Sequence, residues 1–260
     1  MPGLAISVIT PTLNAEGYLA ACLASVWSQG WPDLEQLVVD GGSTDATERL
    51  VRASRAAWIP LPAAKQAAAI NTGLRLANGE VVAWLNADDL YATGSAAYVA
   101  ERFAADPALD VLVGDCQVID ANGQPLWLMR PGAYDFSRLL RRGNSLGQPA
   151  VFLRRGVFER VGYLDETLDF GMDYELWLRL RRLNVAYVPR VLAAFRWHSA
   201  SKTATNLHAN WDELLRIVRR HGGGWTPYLA WLYARARFTL ARQQLAGRRR
   251  QLALPLRKRL

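Results

Sequence analysis

The sequence predicts an α/β fold, a doubly wound and mostly parallel sheet flanked by helices. Three observations predict it. Short apolar, β-branched runs alternate with stretches of helical spacing from Ala5 to Leu85. Three of those runs stop abruptly in polar residues, at Thr10 to Asn14, at Asp40 and at Asp88-Asp89. Strands that end so would share one crevice at the carboxyl edge of an open sheet, where such sheets bind ligands.

Ala5 to Thr10 reads as the first strand, stopped by Pro11. Tyr18 to Gln29 places Leu19, Cys22, Leu23 and Val26 on one helical face and ends at Gly30, so Cys22 is expected in the core. Leu34 to Val39 is the second strand. After Asp40, Gly41-Gly-Ser-Thr-Asp45 forms a turn, and Asp45 is expected to cap a helix from about Ala46 to Ser54. Trp58 to Leu61 suggests a third strand, and Gln66 to Ala77 a helix closed by Asn78-Gly79. Val81 to Leu85 is the apolar run of a strand buried on both faces. It leads through Asn86 into Asp88 and Asp89. Two adjacent carboxylates there repel unless positive charge stands between them, which points to a divalent cation and a phosphate-bearing substrate. The alternative on these residues alone is a solvated turn.

Further along, Asp115 to Arg130 with Asn122-Gly123 at its centre reads as a β-hairpin. Met172 to Arg182 reads as a helix with Asp173 and Glu175 in its first turn, where the dipole favours acids. Val191 to Phe195 is a strand leading to His198. From Pro227 the chain reads as helical, with Leu229, Leu232, Tyr233, Ala236 and Leu240 on one stripe and Trp231, Phe238 and Leu245 beside it. A catalytic domain over 1–210 and a helical, Arg-rich extension over 211–260 are expected.

The formal net charge of +8 is unevenly spread. No acid follows Glu213, while 12 of the 31 basic residues do, which leaves 19 basic against 23 acidic residues before that point. A mildly acidic body with a basic tail argues against nucleic acid as a partner, and for an anionic membrane surface contacted through residues 227–260. No apolar run approaches a bilayer span, the first residues lack the layout of a secretion signal, and two cysteines make no disulfide framework. The expected setting is cytoplasmic, peripheral at the inner face of the membrane. The glycine turn matches neither a P-loop nor a dinucleotide fingerprint.

Several blocks occurring in order resemble the family 2 glycosyltransferases of the GT-A fold. They are Thr10-Pro-Thr-Leu-Asn14, Val38-Val-Asp-Gly-Gly-Ser-Thr-Asp45, Asn71-Thr-Gly73, Leu85-Asn-Ala-Asp-Asp89 and Gly114-Asp115. Gln148-Pro149, Phe170-Gly-Met-Asp-Tyr-Glu-Leu-Trp177 and Arg196-Trp-His198 continue the likeness. The resemblance implies transfer of a sugar from a nucleotide-diphosphate donor, UDP- or dTDP-linked, to a glycan or lipid-linked acceptor. It implies Mg²⁺ or Mn²⁺ as cofactor, with Asp88, Asp89 and His198 as metal ligands. Thr10, Pro11, Asn14, Asp40, Lys65, Asn71, Asn86, Asp88 and Arg196 fall on donor positions, with Lys202 as a further cation for the diphosphate. Gln148 and Trp177 fall on the acceptor side, and Trp197 is a second ring able to stack on a sugar. Asp173 is the implied general base and Glu175 its fallback. The departures are Asn86, where an acid is usual, and Pro62-Ala-Ala-Lys-Gln66, where an acid and a glycine are missing around Lys65. A nucleotide-sugar binding scaffold and a sugar-phosphate nucleotidyltransferase are the rival readings; the latter would want a Gly- and Arg-rich loop after the first strand.

Overall fold

The protein is described by a computed structural model covering residues 3–198 and 207–235. Its strands are β1 (Ile6–Thr12), β2 (Leu34–Asp40), β3 (Ala57–Pro60), β4 (Val81–Trp84), β5 (Leu90–Tyr91), β6 (Val111–Ile119), β7 (Pro125–Met129), β8 (Val151–Arg154) and β9 (Val185–Arg196). Its helices are α1 (Leu19–Trp27), α2 (Thr47–Arg52), α3 (Gln66–Leu76), α4 (Ser95–Ala105), α5 (Phe136–Arg142), α6 (Val157–Val161), α7 (Met172–Arg179) and α8 (Leu207–Arg220). A further helical segment begins at 227.

Among the described residues these nine strands form one sheet in the order β3-β2-β1-β4-β8-β6-β9-β5, with β7 paired to β6. The first four strands run parallel, as the alternation of strand and helix predicts. The other half is mixed, because β8 enters antiparallel between β4 and β6. Two antiparallel steps restore direction, so β6 and its parallel neighbour β9 point the same way as β1, β2 and β4. The carboxyl ends of these six strands, β3 included, therefore lie along one edge of the sheet.

Strand alternation divides the core. Ile9, Leu37, Val39, Val82 and Trp84 pack with α3, α5, α7 and α8 on one face. Ile6, Val8, Val81, Ala83 and Phe152 pack with α1 and α4 on the other, where Cys22 is fully buried as expected. Cys22 and Cys116 are both free thiols. Pro11 does not end β1, which continues to Thr12. Beyond Ile9 this strand has β2 on one side and no ladder to β4 on the other, so the missing proline N–H costs no sheet bond.

Two of the sequence blocks prove to be packing devices. A Cβ at Gly73 would stand 2.4 Å from Ile9 Cγ2, so glycine lets α3 lie directly on β1. Asn71, expected at the donor, is buried two residues away. Its amide donates to Leu164 O (2.9 Å) and its Oδ1 accepts from Leu164 N–H (3.0 Å), which staples α3 to the loop before α7. Trp177, expected on the acceptor side, is 0% exposed and stacks on Trp84 with ring centroids 5.5 Å apart. It is a core residue because α7 turns that face onto the end of β4.

α8 belongs to this same core. Ile217 and Val218 are buried with α3, α5 and α7, as is Leu229 of the following segment, and the expected boundary at 210 falls inside this helix. Lys202 and everything from Ala236 onward, including Phe238, Leu240, Leu245 and the arginine clusters, lie outside the described residues. Among the described residues no helix is long and apolar enough to cross a membrane.

Trp177→Ala should destabilise the protein by roughly 3–5 kcal/mol in chemical denaturation, the usual cost of emptying an aromatic site. Unchanged stability with weakened acceptor binding would return Trp177 to a sugar-stacking role.

Candidate active site

The mouth is built from strand ends and the loops that follow them. On the β1–β2 side, Thr12 stands in register with Asp40. Asp40 is 2% exposed, and its carboxylate accepts from both the N–H and the hydroxyl of Ser43, closing the turn around Gly42 at φ +103°. Asn14 adopts a left-handed φ of 50°. Its N–H donates to Ser43 Oγ (2.8 Å), and its Oδ1 accepts from Thr44 N–H (2.9 Å). Asp45 accepts from Thr47 N–H (2.9 Å) at the start of α2, as its capping role anticipates, and also from Glu16 N–H (3.0 Å). The two loops are latched to each other across the strand ends. Thr10, expected at the donor, is fully buried and accepts from Gln36 Nε2 (3.0 Å). Pro11 is buried beside it. Thr12, in register with Asp40, is instead buried with its hydroxyl lacking a hydrogen-bond partner among the described residues. Sequence reasoning passed over it as the middle of a motif.

At the end of β4 the two adjacent acids separate into unlike environments. Asp89 is 0% exposed, accepts from Arg196 N–H (2.9 Å) and from the Asn86 amide (3.0 Å), and has its pKa driven well up by burial and then by the Asp88 charge. It is a structural carboxylate, and the expectation of a metal ligand there is corrected. Asp88 keeps 29% of its side chain exposed and lies 2.9 Å from His198 Nε2. Its other oxygen has no partner among the described residues. Arg196 is buried, with Nε on Asp88 O (2.8 Å) and Nη1 on the carbonyls of Asp120 and Ala121. These donors are spent on carbonyls, so Arg196 anchors the Asp88 turn to the hairpin of β6 and β7; the expected diphosphate contact is not available to them.

Asn86 links neighbours. Its Oδ1 accepts from Gln66 (2.9 Å) and its amide lies 3.3 Å from Gln148 Oε1, while the Gln148 amide donates to Trp84 O (2.6 Å). Lys65 is exposed and pairs with Asp169 at 3.1 Å, closing the mouth from the α3 side.

Asp173 stands in the first turn of α7, half-buried. Its carboxylate accepts from Tyr174 N–H (2.7 Å) and the Asn144 amide (3.0 Å). Burial pushes its pKa up to about 6 against those two hydrogen bonds, with the charge of Glu213 adding to the rise. Glu175, the expected fallback base, is 4% exposed and engaged by Arg179 (2.9 Å) and His221 (3.1 Å). A carboxylate so held is a brace for α7, which corrects that expectation. Trp197 is exposed beside Trp127, 6.2 Å between rings.

Comparison with known proteins decides the family. The sequence model described as Glycosyl transferase family 2 matches residues 7–162, more than half of the chain.

The chain belongs to glycosyltransferase family 2.

A PGL/p-HBAD biosynthesis glycosyltransferase of Mycobacterium tuberculosis is 36% identical to this glycosyltransferase over 171 residues, 60% of this chain and 61% of that protein. An uncharacterized glycosyltransferase of Rickettsia typhi is 27% identical over 218 residues, covering 78% and 67%. Among solved structures, S. aureus TarS 1-349 in complex with UDP-GlcNAc superposes with a TM-score of 0.68 at 17% identity, covering 97% of this chain and 76% of that one. The mannosyltransferase PcManGT of Pyrobaculum calidifontis, in complex with GDP-Man and Mn²⁺, gives 0.62 at 23%, covering 96% and 81%. The fold of this family 2 glycosyltransferase is GT-A. The family match ends before Asp173 and His198, so those two stand on the geometry above.

A ¹³C NMR titration of the Asp173 carboxyl should give a value of about 6, and Asn144→Ala, which removes a stabilising donor, should raise it further. The folded carboxyl holds its proton above the ordinary 3.8. The stability it contributes is therefore present below that ordinary value and is lost as pH rises through about 6. An unshifted carboxyl would refute the burial argument.

Proposed function

We propose that this family 2 member is an inverting, metal-dependent transferase moving a sugar from a nucleotide-diphosphate donor to a hydroxyl of a glycan or lipid-linked acceptor. The observation that carries the proposal is the division of labour among carboxylates at one mouth. Half-exposed Asp88 faces His198, and half-buried Asp173 is tuned to about 6. UDP- and dTDP-sugars are the favoured donors. That TarS was solved with UDP-GlcNAc and PcManGT with GDP-Man and Mn²⁺ supports a nucleotide-sugar here.

Thr12, Asn14 and Asp40 line the nucleoside side, and the rigid latch between their loops would hold base and ribose without reorganisation. Asp88 and His198 fit a divalent cation, Mg²⁺ or Mn²⁺. They supply one carboxylate and one imidazole, and the remaining positions suit donor phosphates and water. Such a cation, when bound, neutralises the diphosphate charge that develops as the glycosidic bond breaks. Among the described residues no group of three His, Cys, Asp or Glu side chains that could hold a metal is present, so donor phosphates and water would have to complete the shell. Lys65, paired with Asp169, would serve the phosphate or sugar end.

Asp173 takes the acceptor hydroxyl proton while that oxygen bonds the anomeric carbon opposite the leaving group. The bond from this carbon to the diphosphate oxygen breaks with its electron pair, which inverts the centre. One base on the acceptor side suffices, and a pKa of about 6 leaves it ionised at neutral pH. Gln148 would fix the Asn86 side of the acceptor cleft.

The acceptor is proposed to be presented at an anionic membrane. Trp225, Tyr228 and Trp231 are exposed, while Leu229 is buried on the opposite face. Arg142 lies over Tyr228 and Arg235 over Trp231, an arrangement of rings and cations suited to the headgroup region.

Asp173→Asn should retain nucleotide diphosphate binding and lose transfer by on the order of 10²–10⁴-fold; an active variant sinks the base assignment. In wild type, turnover should rise with pH through about 6 and then level. Calorimetry with UDP should show tighter binding with Mn²⁺ present, and His198→Ala should abolish that increment; equal affinity without metal would count against the Asp88–His198 site. Sedimentation with anionic vesicles should weaken in a Trp225→Ser/Tyr228→Ser/Trp231→Ser variant, whereas undiminished binding would exclude these rings as the contact.

A further inference from the structure

α8 carries Glu213, the last acid of the chain, and the structure buries it to 3% exposure. Its carboxylate accepts three consecutive main-chain N–H groups of the loop before α7: Asp169 (2.8 Å) on one oxygen, Phe170 (2.7 Å) and Gly171 (2.5 Å) on the other. Three amides on one buried carboxylate make a fixed anion socket, with the charge satisfied by hydrogen bonds in place of water.

The approach requires the local sequence. A Cβ on Gly171 would stand 2.5 Å from Ile217 and 3.4 Å from Glu213 Oε1, so only glycine lets the loop close onto α8. Gly171 is also the N-cap of α7, its carbonyl accepting from Glu175 N–H (2.8 Å), and Asp173 follows two residues later. The same helix grips this unit twice more, with Arg220 on Asp165 (2.6 Å) and with His221, just past its end, on Glu175 (3.1 Å).

We infer that Glu213 is a positioning residue for the transfer reaction: by gathering the 169–171 amides it sets where α7 starts and hence where the Asp173 carboxylate meets the acceptor. This rests on Asp173 acting as base. Glu213 touches no reacting atom, and its role is exerted through the loop.

Two variants test it. Glu213→Ala removes the acceptor altogether. Glu213→Gln keeps the volume and one oxygen but turns an NH₂ group toward a main-chain N–H. Hydrogen exchange of the 169–174 amides should quicken in both, more in Ala, while exchange at the ends of β1 and β2 stays as in wild type. Turnover of nucleotide-sugar should fall on the order of 10–100-fold, as for a base displaced by about an ångström, with donor affinity by calorimetry unchanged. Unchanged exchange overturns the tether, and unchanged turnover overturns the positioning role. A loss of turnover matched by equal losses of donor affinity and melting temperature would make Glu213 a stability residue only, and so also overturns it. The exchange measurement needs no substrate. It therefore judges the tether even if wild type is silent with every donor, an outcome that would overturn the transferase reading instead.

Discussion

The buried Asp89 carboxylate, receiving the main-chain N–H of Arg196 and the amide of Asn86, is the joint that brings the two halves of the sheet to one mouth. A carboxylate removed from water is costly unless its oxygens are bonded, so the β4 end and the β9 end must meet in one arrangement. Arg196 completes the joint by spanning the Asp88 carbonyl and two carbonyls of the β6–β7 hairpin. With main chain held on three sides, the neighbouring Asp88 side chain is left half-exposed against His198. Removing the Asp89 bonds would free the very turn that presents Asp88.

Carboxylates of the same intrinsic strength thus acquire different work from their surroundings. Asp40 closes a turn, Asp89 fastens strands, Glu175 braces a helix and Glu213 collects amides. Asp88 and Asp173 alone among these keep partial exposure. Asp173 gains its raised pKa from burial, tempered by the Asn144 amide and Tyr174 N–H. Its environment comes from three separate parts of the chain, which is why its raised pKa cannot be understood from α7 alone.

That dependence extends to the C-terminal side. α8 buries Ile217 and Val218 in the core shared by α3, α5 and α7, and directs Glu213, Arg220 and the adjoining His221 onto the segment that carries Asp173. The chain's basic character hides this contribution: Asp212 and Glu213, the last acids ahead of twelve arginines and lysines, look like the end of an acidic body, whereas Glu213 is an anchor. A pair of acids at the border of a basic stretch was the available signal, and it has meaning only once the 169–171 amides are seen around Glu213.

Local chemistry was enough to place β1, β2, β4, α1, α3 and the hairpin, because hydrophobic period and turn residues act over a few positions. It was likewise enough for the ordered blocks that mark the family, for the core place of Cys22 and for the cap of Asp45. What the tertiary structure alone decided is which polar residues face the mouth. Thr10, Asn71 and Trp177 sit in motifs yet face inward, Arg196 spends its donors on carbonyls, and Thr12 and Glu213 went unmarked. The reason is physical: a side chain's freedom to act depends on the partners that burial forces upon it, and those partners, such as Leu164 for Asn71 or Gly171 for Glu213, lie tens of residues away in the chain.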